Sequence, residues 1–253
     1  MMAAVWKSNA KFSLEEWEAR QELAACYRIF AMFGWDELVY NHITLRVPGE
    51  EGAYLINPFG LHYSEINASS LIKVDRSGNK VDVDNPWPIN KAGHVQHSLF
   101  HGNVDRAHAV IHTHTTATMA VCSLKGGLRM TNFYAAFFAG KLGWHEFEGI
   151  TVREEEGERI LASLGDKSVL MLANHGPVVI GRTLPEAFHI FWNLQRACEV
   201  QMATLSMGEP IEIPEHVLDV HQRDAVQMNG ARGRGAMEFE AMIRRVDRID
   251  RSW

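Results

Sequence analysis

The sequence predicts a single α/β domain. Two long segments with amphipathic helical spacing bracket a series of short apolar runs punctuated by glycine and proline, and the two pattern types mix from Asn41 to Met207 without an internal linker. With 253 residues, 46 % hydrophobic and 22 % charged, the chain can bury a substantial core and has the composition of a folded protein.

Residues 1–12 read as a loose arm. Ser13-Leu-Glu-Glu16 has the form of a capping box, in which the serine accepts from the first turn and Glu16 reaches back. The helix it opens should run to Phe33 and stop at Gly34, with Trp17, Leu23, Ala24, Tyr27, Phe30 and Phe33 on its core face. Strands are expected at 41–46 and 53–57, the second leading into the turn Pro58-Phe-Gly60. Residues 71–75 and 80–83 flank Arg76-Ser-Gly-Asn79 and predict a hairpin. A helix follows over 90–100, a strand over 107–112, and a helix over 115–124 ended by Gly126-Gly127. A charged helix over 153–164 precedes a strand over 168–173. After Val178-Val-Ile-Gly181, residues 185–207 form an amphipathic helix that buries Ala187, Phe188, Phe191, Leu194 and Cys198. Residues 208–235 are looser in pattern and lead to a last helix over 236–250. The partition is therefore the arm, a domain over 13–207, and a C-terminal extension over 208–253 with a terminal helix.

A net charge of −6 gives no electrostatic footprint for nucleic acid. The arginines at 232, 234, 244, 245 and 248 alternate with Glu238, Glu240, Asp247 and Asp250, the mark of a solvated mixed-charge face. Cys26, Cys122 and Cys198 cannot all pair, and each sits in an apolar helical context, so buried free thiols in a reducing compartment are expected. No run resembles a signal peptide or is long enough to span a bilayer. These features point to the cytoplasm.

Thirteen histidines carry the functional argument. In Val110-Ile-His-Thr-His114, strand alternation puts His112 and His114 on one face and Thr113 on the other, close enough to chelate one ion. Alone, such a pair is equally well a chance couple of surface histidines. A second apolar strand ends in Asn174-His175-Gly176-Pro177, where glycine lets the backbone turn beside the imidazole. Three neutral imidazoles and an open position suit zinc, and also iron, manganese or cobalt.

His112-Thr-His114 followed by Asn174-His175-Gly176, with Asn41-His-Ile-Thr-Leu-Arg46, Asn57-Pro-Phe-Gly60 and Pro88-Ile-Asn-Lys-Ala-Gly93 upstream, resembles the class II aldolase/adducin family over residues 20–207. The resemblance implies a three-layer α/β/α sandwich with a mixed, largely antiparallel central sheet. It also implies a divalent metal on His112, His114 and His175, and homotetramers with sites at subunit interfaces.

Several positions depart from the family's aldolases. Aligned without gaps on His97, Gly93 stands where they carry the glutamate that serves as acid/base, and Lys91 and Ala92 stand where serines hold substrate phosphate. His42 takes the place of a phosphate-holding asparagine, and Phe59 that of a threonine in the next phosphate loop. Glycine cannot transfer a proton, and a phosphate pocket needs several convergent donors. Lys91-Ala-Gly93 is similar instead to the adducin-like bacterial branch.

Candidates for replacement chemistry are Lys91 and His94, in the first turns of that helix, and Tyr134. Lys91 is either a partner for an anion or a solvated lysine, and His94 either a site or a surface residue. His97 reads as a core residue or one that orients a ligand. Counting from His112 places the family's interface tyrosine at Phe133, one short of Tyr134, whose alternative role is interface packing. Tyr63 and Glu65 are pocket candidates by their position after Gly60. The expected function is a metal-dependent lyase acting on a small non-phosphorylated oxo or carboxylate compound. The alternatives are a three-histidine iron oxygenase and a non-catalytic adducin-like module.

Overall fold

The computed structural model describes residues 11–150, 154–228 and 232–253. Seven strands form one sheet in the order β3-β2-β1-β4-β7-β6-β5. They are β1 (His42–Arg46), β2 (Tyr54–Ile56), β3 (Ile72–Val74), β4 (Ala109–His112), β5 (Leu142–His145), β6 (Val169–Leu172) and β7 (Gly176–Gly181). Every neighbouring pair is antiparallel except β5 and β6, which run parallel.

Strand alternation sorts side chains onto the two faces of the sheet and makes three layers. Ile43, Leu45, Ile111 and Val179 face helices α1 (Leu14–Phe33) and α5 (Leu184–Met207), joined by Phe239, Ile243 and Val246 of α7 (Ala236–Ile249). Val110, Leu170, Val178 and Ile180 face Phe100 of α2 (Lys91–Asn103) and Ile160 and Leu164 of α4 (Gly157–Leu164). Neighbouring residues of one strand therefore serve opposite layers. His42, Thr44 and His112 share the α2 side with Val110.

α1 ends as its sequence dictates. Gly34 adopts φ 67, and its N–H reaches back to Ala31 and Phe30. Only half of the expected capping box forms, because Ser13 Oγ accepts from Glu16 N but the Glu16 carboxylate is engaged elsewhere. It binds Arg20 Nε at 2.8 Å and Lys73 Nζ at 2.9 Å, and so pins the buried Arg20. Residues 1–10 of the expected arm lie outside the described residues. Phe12 is not loose, since it stacks on Trp17 with ring centroids 5.6 Å apart.

The hairpin expected after β3 shrinks to one bridge between Val74 and Lys80, with Asp75 instead folding the intervening turn onto its own carboxylate. The first residue of the expected charged helix, Arg153, lies outside the described residues. α3 (Thr116–Cys122) and α6 (Glu215–Ala225) complete the helices. α6 lies within the segment expected to be loose. Cys26, Cys122 and Cys198 are buried free thiols. No helix among the described residues is long and apolar enough to cross a membrane.

Candidate metal centre

Sheet pairing brings the three histidines together. β4 ends at His112, which lies opposite Val178 of β7, so the turn entering β7 is held beside the end of β4. That turn delivers His175. Its left-handed residue is Asn174, at φ 53, rather than the glycine expected to make the bend. Gly176 answers a different need. A Cβ there would sit 2.6 Å from the Thr113 carbonyl oxygen, so only glycine lets the two segments approach this closely.

One nitrogen from each of His112, His114 and His175 lies within 4.8 Å of the others. Backbone and side-chain partners decide which nitrogens are bare. Nδ1 of His112 lies 3.0 Å from the Pro177 carbonyl oxygen, which can only accept, so this nitrogen carries the proton. Nδ1 of His114 lies 2.9 Å from Glu37 Oε2 and likewise donates. Both Nε2 atoms are then lone pairs, and they face one another at 2.9 Å. Two lone pairs at that distance repel unless a shared cation stands between them. The donor set therefore fits a divalent transition metal, and the Glu37 and Pro177 contacts are of the kind that fix a ligating imidazole's orientation.

Burial keeps His112 and His175 neutral. It holds the fully buried His112 well below its ordinary range, with His175 and His114 adding to the effect. Burial, then the neighbouring His114, brings His175 down to about 4. Neutral imidazole is the form that binds a metal.

A second set of imidazoles lies behind the first. The His42 ring stacks on His112, with centroids 5.2 Å apart and planes 27° apart. His42 Nδ1 lies 2.8 Å from His97 Nε2, and His97 Nδ1 lies 2.7 Å from Thr44 Oγ1. The same oxygen is 2.7 Å from His101 Nε2, and His101 Nδ1 is 2.8 Å from the Ala107 carbonyl oxygen. Burial brings His42 and His101 each down to about 3 and His97 well below its usual value.

His42 also explains Gly93. A Cβ on Gly93 would lie 2.5 Å from His42 Cδ2, so the imidazole fills the space a side chain at 93 would enter. His97, expected as a core or orienting residue, is fully buried and holds His42 rather than one of the three histidines of the triad.

The remaining candidates stand apart. Lys91 is exposed in the first turn of α2 and has no hydrogen bond or ion pair among the described residues. His94 shares the helix face of His97 and His101 but is directed toward β2, where Nδ1 meets Tyr54 Oη and the ring lies over Gly78. Tyr134 opens the 3-10 turn Ala135–Phe138, against Phe133 and beneath the Arg196 guanidinium. Tyr63 is buried edge-on against Tyr27, and Glu65 closes a turn by accepting from His62 N. None of these contacts reaches the triad. Sequence reasoning missed Glu37, Thr44 and His101. Glu37 sits in the loop after α1, next to Leu38 at φ 48, and no local pattern marks a loop carboxylate as the partner of a histidine 77 residues away.

The model of the Class II Aldolase and Adducin N-terminal domain matches residues 21–202. A crystal structure of an aldolase II superfamily protein from Pseudomonas syringae superposes with a TM-score of 0.91 at 38 % identity, covering 96 % of this chain and 97 % of that one. L-fuculose 1-phosphate aldolase from Glaciozyma antarctica superposes with a TM-score of 0.80 at 25 % identity, over 96 % of this chain and 94 % of that one. Alpha-adducin of Rattus norvegicus is 40 % identical over 245 residues, which cover 91 % of this chain but 33 % of the adducin, so the chain spans about a third of that relative's length.

Proposed function

The chain belongs to the class II aldolase and adducin family, and on that premise we propose that it is a metal-dependent lyase. It cleaves a C–C bond, by retro-aldol reaction or decarboxylation, in a small non-phosphorylated oxo or carboxylate compound. The observation that carries this reading is the pair of bare Nε2 atoms of His112 and His114 facing each other at 2.9 Å. With His175, they would hold zinc. Bound there, the ion supplies Lewis-acid polarisation of a substrate oxygen. The chain's own residues orient the site: Glu37 and the Pro177 carbonyl hold two ligand rings, and the turn from β6 into β7 places the third.

Two features argue against a phosphorylated substrate. The first amides of α2, at Ala92 and Gly93, already bond Asn90 Oδ1 at 3.1 and 3.3 Å, so the helix N-terminus has a cap of its own. His42, in place of the family's phosphate-holding asparagine, is tied to His97. A phosphate dianion needs charge-assisted hydrogen bonds of roughly 1.5–3 kcal/mol each to offset its desolvation.

A second reading, a non-catalytic adducin-like module that keeps its metal for structure, is favoured by Gly93, which supplies no acid/base group. Elemental analysis of protein purified without added metal, followed by turnover assays on hydroxy acids, oxo-acids and phosphosugars with and without oxygen, separates the readings. Zinc with anaerobic cleavage of a small non-phosphorylated carboxylate, and none of fuculose 1-phosphate, is expected. Iron with oxygen consumption moves the protein to the oxygenases. Stoichiometric metal without turnover supports the module.

A further inference from the structure

The chain of contacts behind the metal centre has a direction, because it ends on a backbone carbonyl. The Ala107 oxygen can only accept, so His101 Nδ1, 2.8 Å away, carries a proton. His101 and His97 are fully buried and neutral near pH 7, so each ring has one donor and one acceptor. His101 Nε2 must then accept, and the Thr44 hydroxyl donates to it at 2.7 Å. With its single proton committed, Thr44 Oγ1 accepts from His97 Nδ1 at 2.7 Å. His97 Nε2 is left bare and accepts from His42 Nδ1 at 2.8 Å. The reverse order fails, since it would set the bare Nδ1 of His101 against the Ala107 oxygen.

The consequence falls on His42 Nε2. This atom has no hydrogen-bond partner among the described residues, nor is it sealed away like the orphaned His145 Nε2. It lies on the ring edge that faces the bare Cα of Gly93, beside the His112 ring, and it is not one of the three nitrogens that would share a metal.

We infer that His101, Thr44 and His97 form a tautomer lock that presents His42 Nε2 as a bare hydrogen-bond acceptor beside the three-histidine site, selecting a ligand with a hydroxyl rather than a carbonyl next to its metal-facing oxygen. The choice of ligand rests on the metal-site reading above; the lock does not. A 2-hydroxy acid satisfies the lone pair, whereas a 2-oxo acid sets a second lone pair against it. A site built to bond a hydroxyl discriminates strongly against the analogue that lacks one. His42 is the ligand-touching residue, and Thr44, His97 and His101 are positioning residues.

Long-range proton–nitrogen correlation spectra of the metal-free, nitrogen-15-labelled full chain read the lock directly. His42, His97 and His101 should each show a protonated Nδ1 and a bare Nε2. Thr44→Val, which keeps the shape and removes the hydroxyl, should leave His97 and His42 as tautomer mixtures, and Thr44→Ser should retain the native pattern. A protonated Nε2 on wild-type His42, or an unchanged pattern in T44V, overturns the lock. Calorimetric titration of the zinc-loaded protein with lactate and with pyruvate tests the selection. Lactate should bind about tenfold or more tighter, and the ratio should fall toward one in T44V. Equal affinities in the wild type, or binding of neither acid, overturn the selection. Failure to bind zinc at all, with the native tautomer pattern intact, removes the metal-site reading and leaves the lock standing.

Discussion

Gly93 and His42 fit together as bare backbone against ring: a Cβ on residue 93 would lie 2.5 Å from His42 Cδ2 and 2.9 Å from Nε2. The helix cannot carry a side chain there while the imidazole keeps both its hydrogen bond to His97 and its stack on His112. Gly93→Ala should therefore destabilise the protein by about 1–3 kcal/mol through overpacking. His42→Ala removes the obstacle, so the double variant should recover part of that loss. Thermal or urea unfolding of the four proteins measures the coupling, and strictly additive effects would show that the two residues do not contend for one space.

His112→Ala, His114→Ala and His175→Ala should each lose most bound metal and still fold, since two remaining ligands leave the geometry undefined. Glu37→Gln keeps the shape of the orienting group and removes its charge. It should weaken metal binding by roughly 10–100-fold. Metal titration of each variant checks this, and near-wild-type affinity in any of the three alanine variants removes that histidine from the ligand set.

Acid should unfold the metal-free protein through its buried histidines. His42 and His101 titrate at about 3 and His175 at about 4 in the fold, against an ordinary value of 6.5. The unfolded chain therefore binds more protons, and the stability these groups supply is complete above pH 6.5 and is lost as the pH falls toward 3–4. Each contributes a slope of about 1.4 kcal/mol per pH unit. Glu22 acts in the opposite sense, because burial raises it from 4.5 to about 7 and its contribution is lost as the pH rises through that value. Three histidines outweigh one carboxyl. Denaturant midpoints should fall between pH 6.5 and pH 5, and His101→Gln should flatten the slope by about one proton. A midpoint that does not move over this interval contradicts the assignment.

A homotetramer is expected in solution. The stretch 133–138 buries Ala135, Ala136 and Phe138 but leaves Phe133 61 % exposed, with Phe137 under the His221 ring. Aromatic surface of this kind marks an interaction site. Sedimentation at micromolar protein gives the mass, and Phe133→Glu should shift it downward. A wild-type monomer would leave Tyr134 with no interface to serve.

Much of this protein was legible in one dimension because its signals are local. Ser13 and Gly34 bound α1, alternation puts His112 and His114 on one side, and apolar runs mark β4 and β6. The elements that escaped notice lack such signals. β7 begins Gly-Pro, residues that carry no strand preference, and becomes a strand because β4 and β6 bond both of its edges. β5 is four residues long and includes a glycine, and only parallel pairing with β6 holds it in the sheet. α6 buries no residue and so shows no clear core stripe.

For the site, the sequence by itself singled out His112, His114 and His175, because their motif spans a few residues at the ends of two strands. Its resemblance to the family's aldolases also implied that their acid/base glutamate and phosphate donors are replaced. Only the tertiary structure decided what stands in their place. Hydrogen bonds between residues far apart in the chain act over about 3 Å, and only the folded backbone sets distances that small. The register of β1 against β4 lays His42 on His112, and α2 crosses the same face to set His97 and His101 around Thr44. Glu37 reaches His114 from a loop 77 residues upstream. Which nitrogen of each imidazole is bare follows from a carbonyl or carboxylate that folding puts opposite the other one.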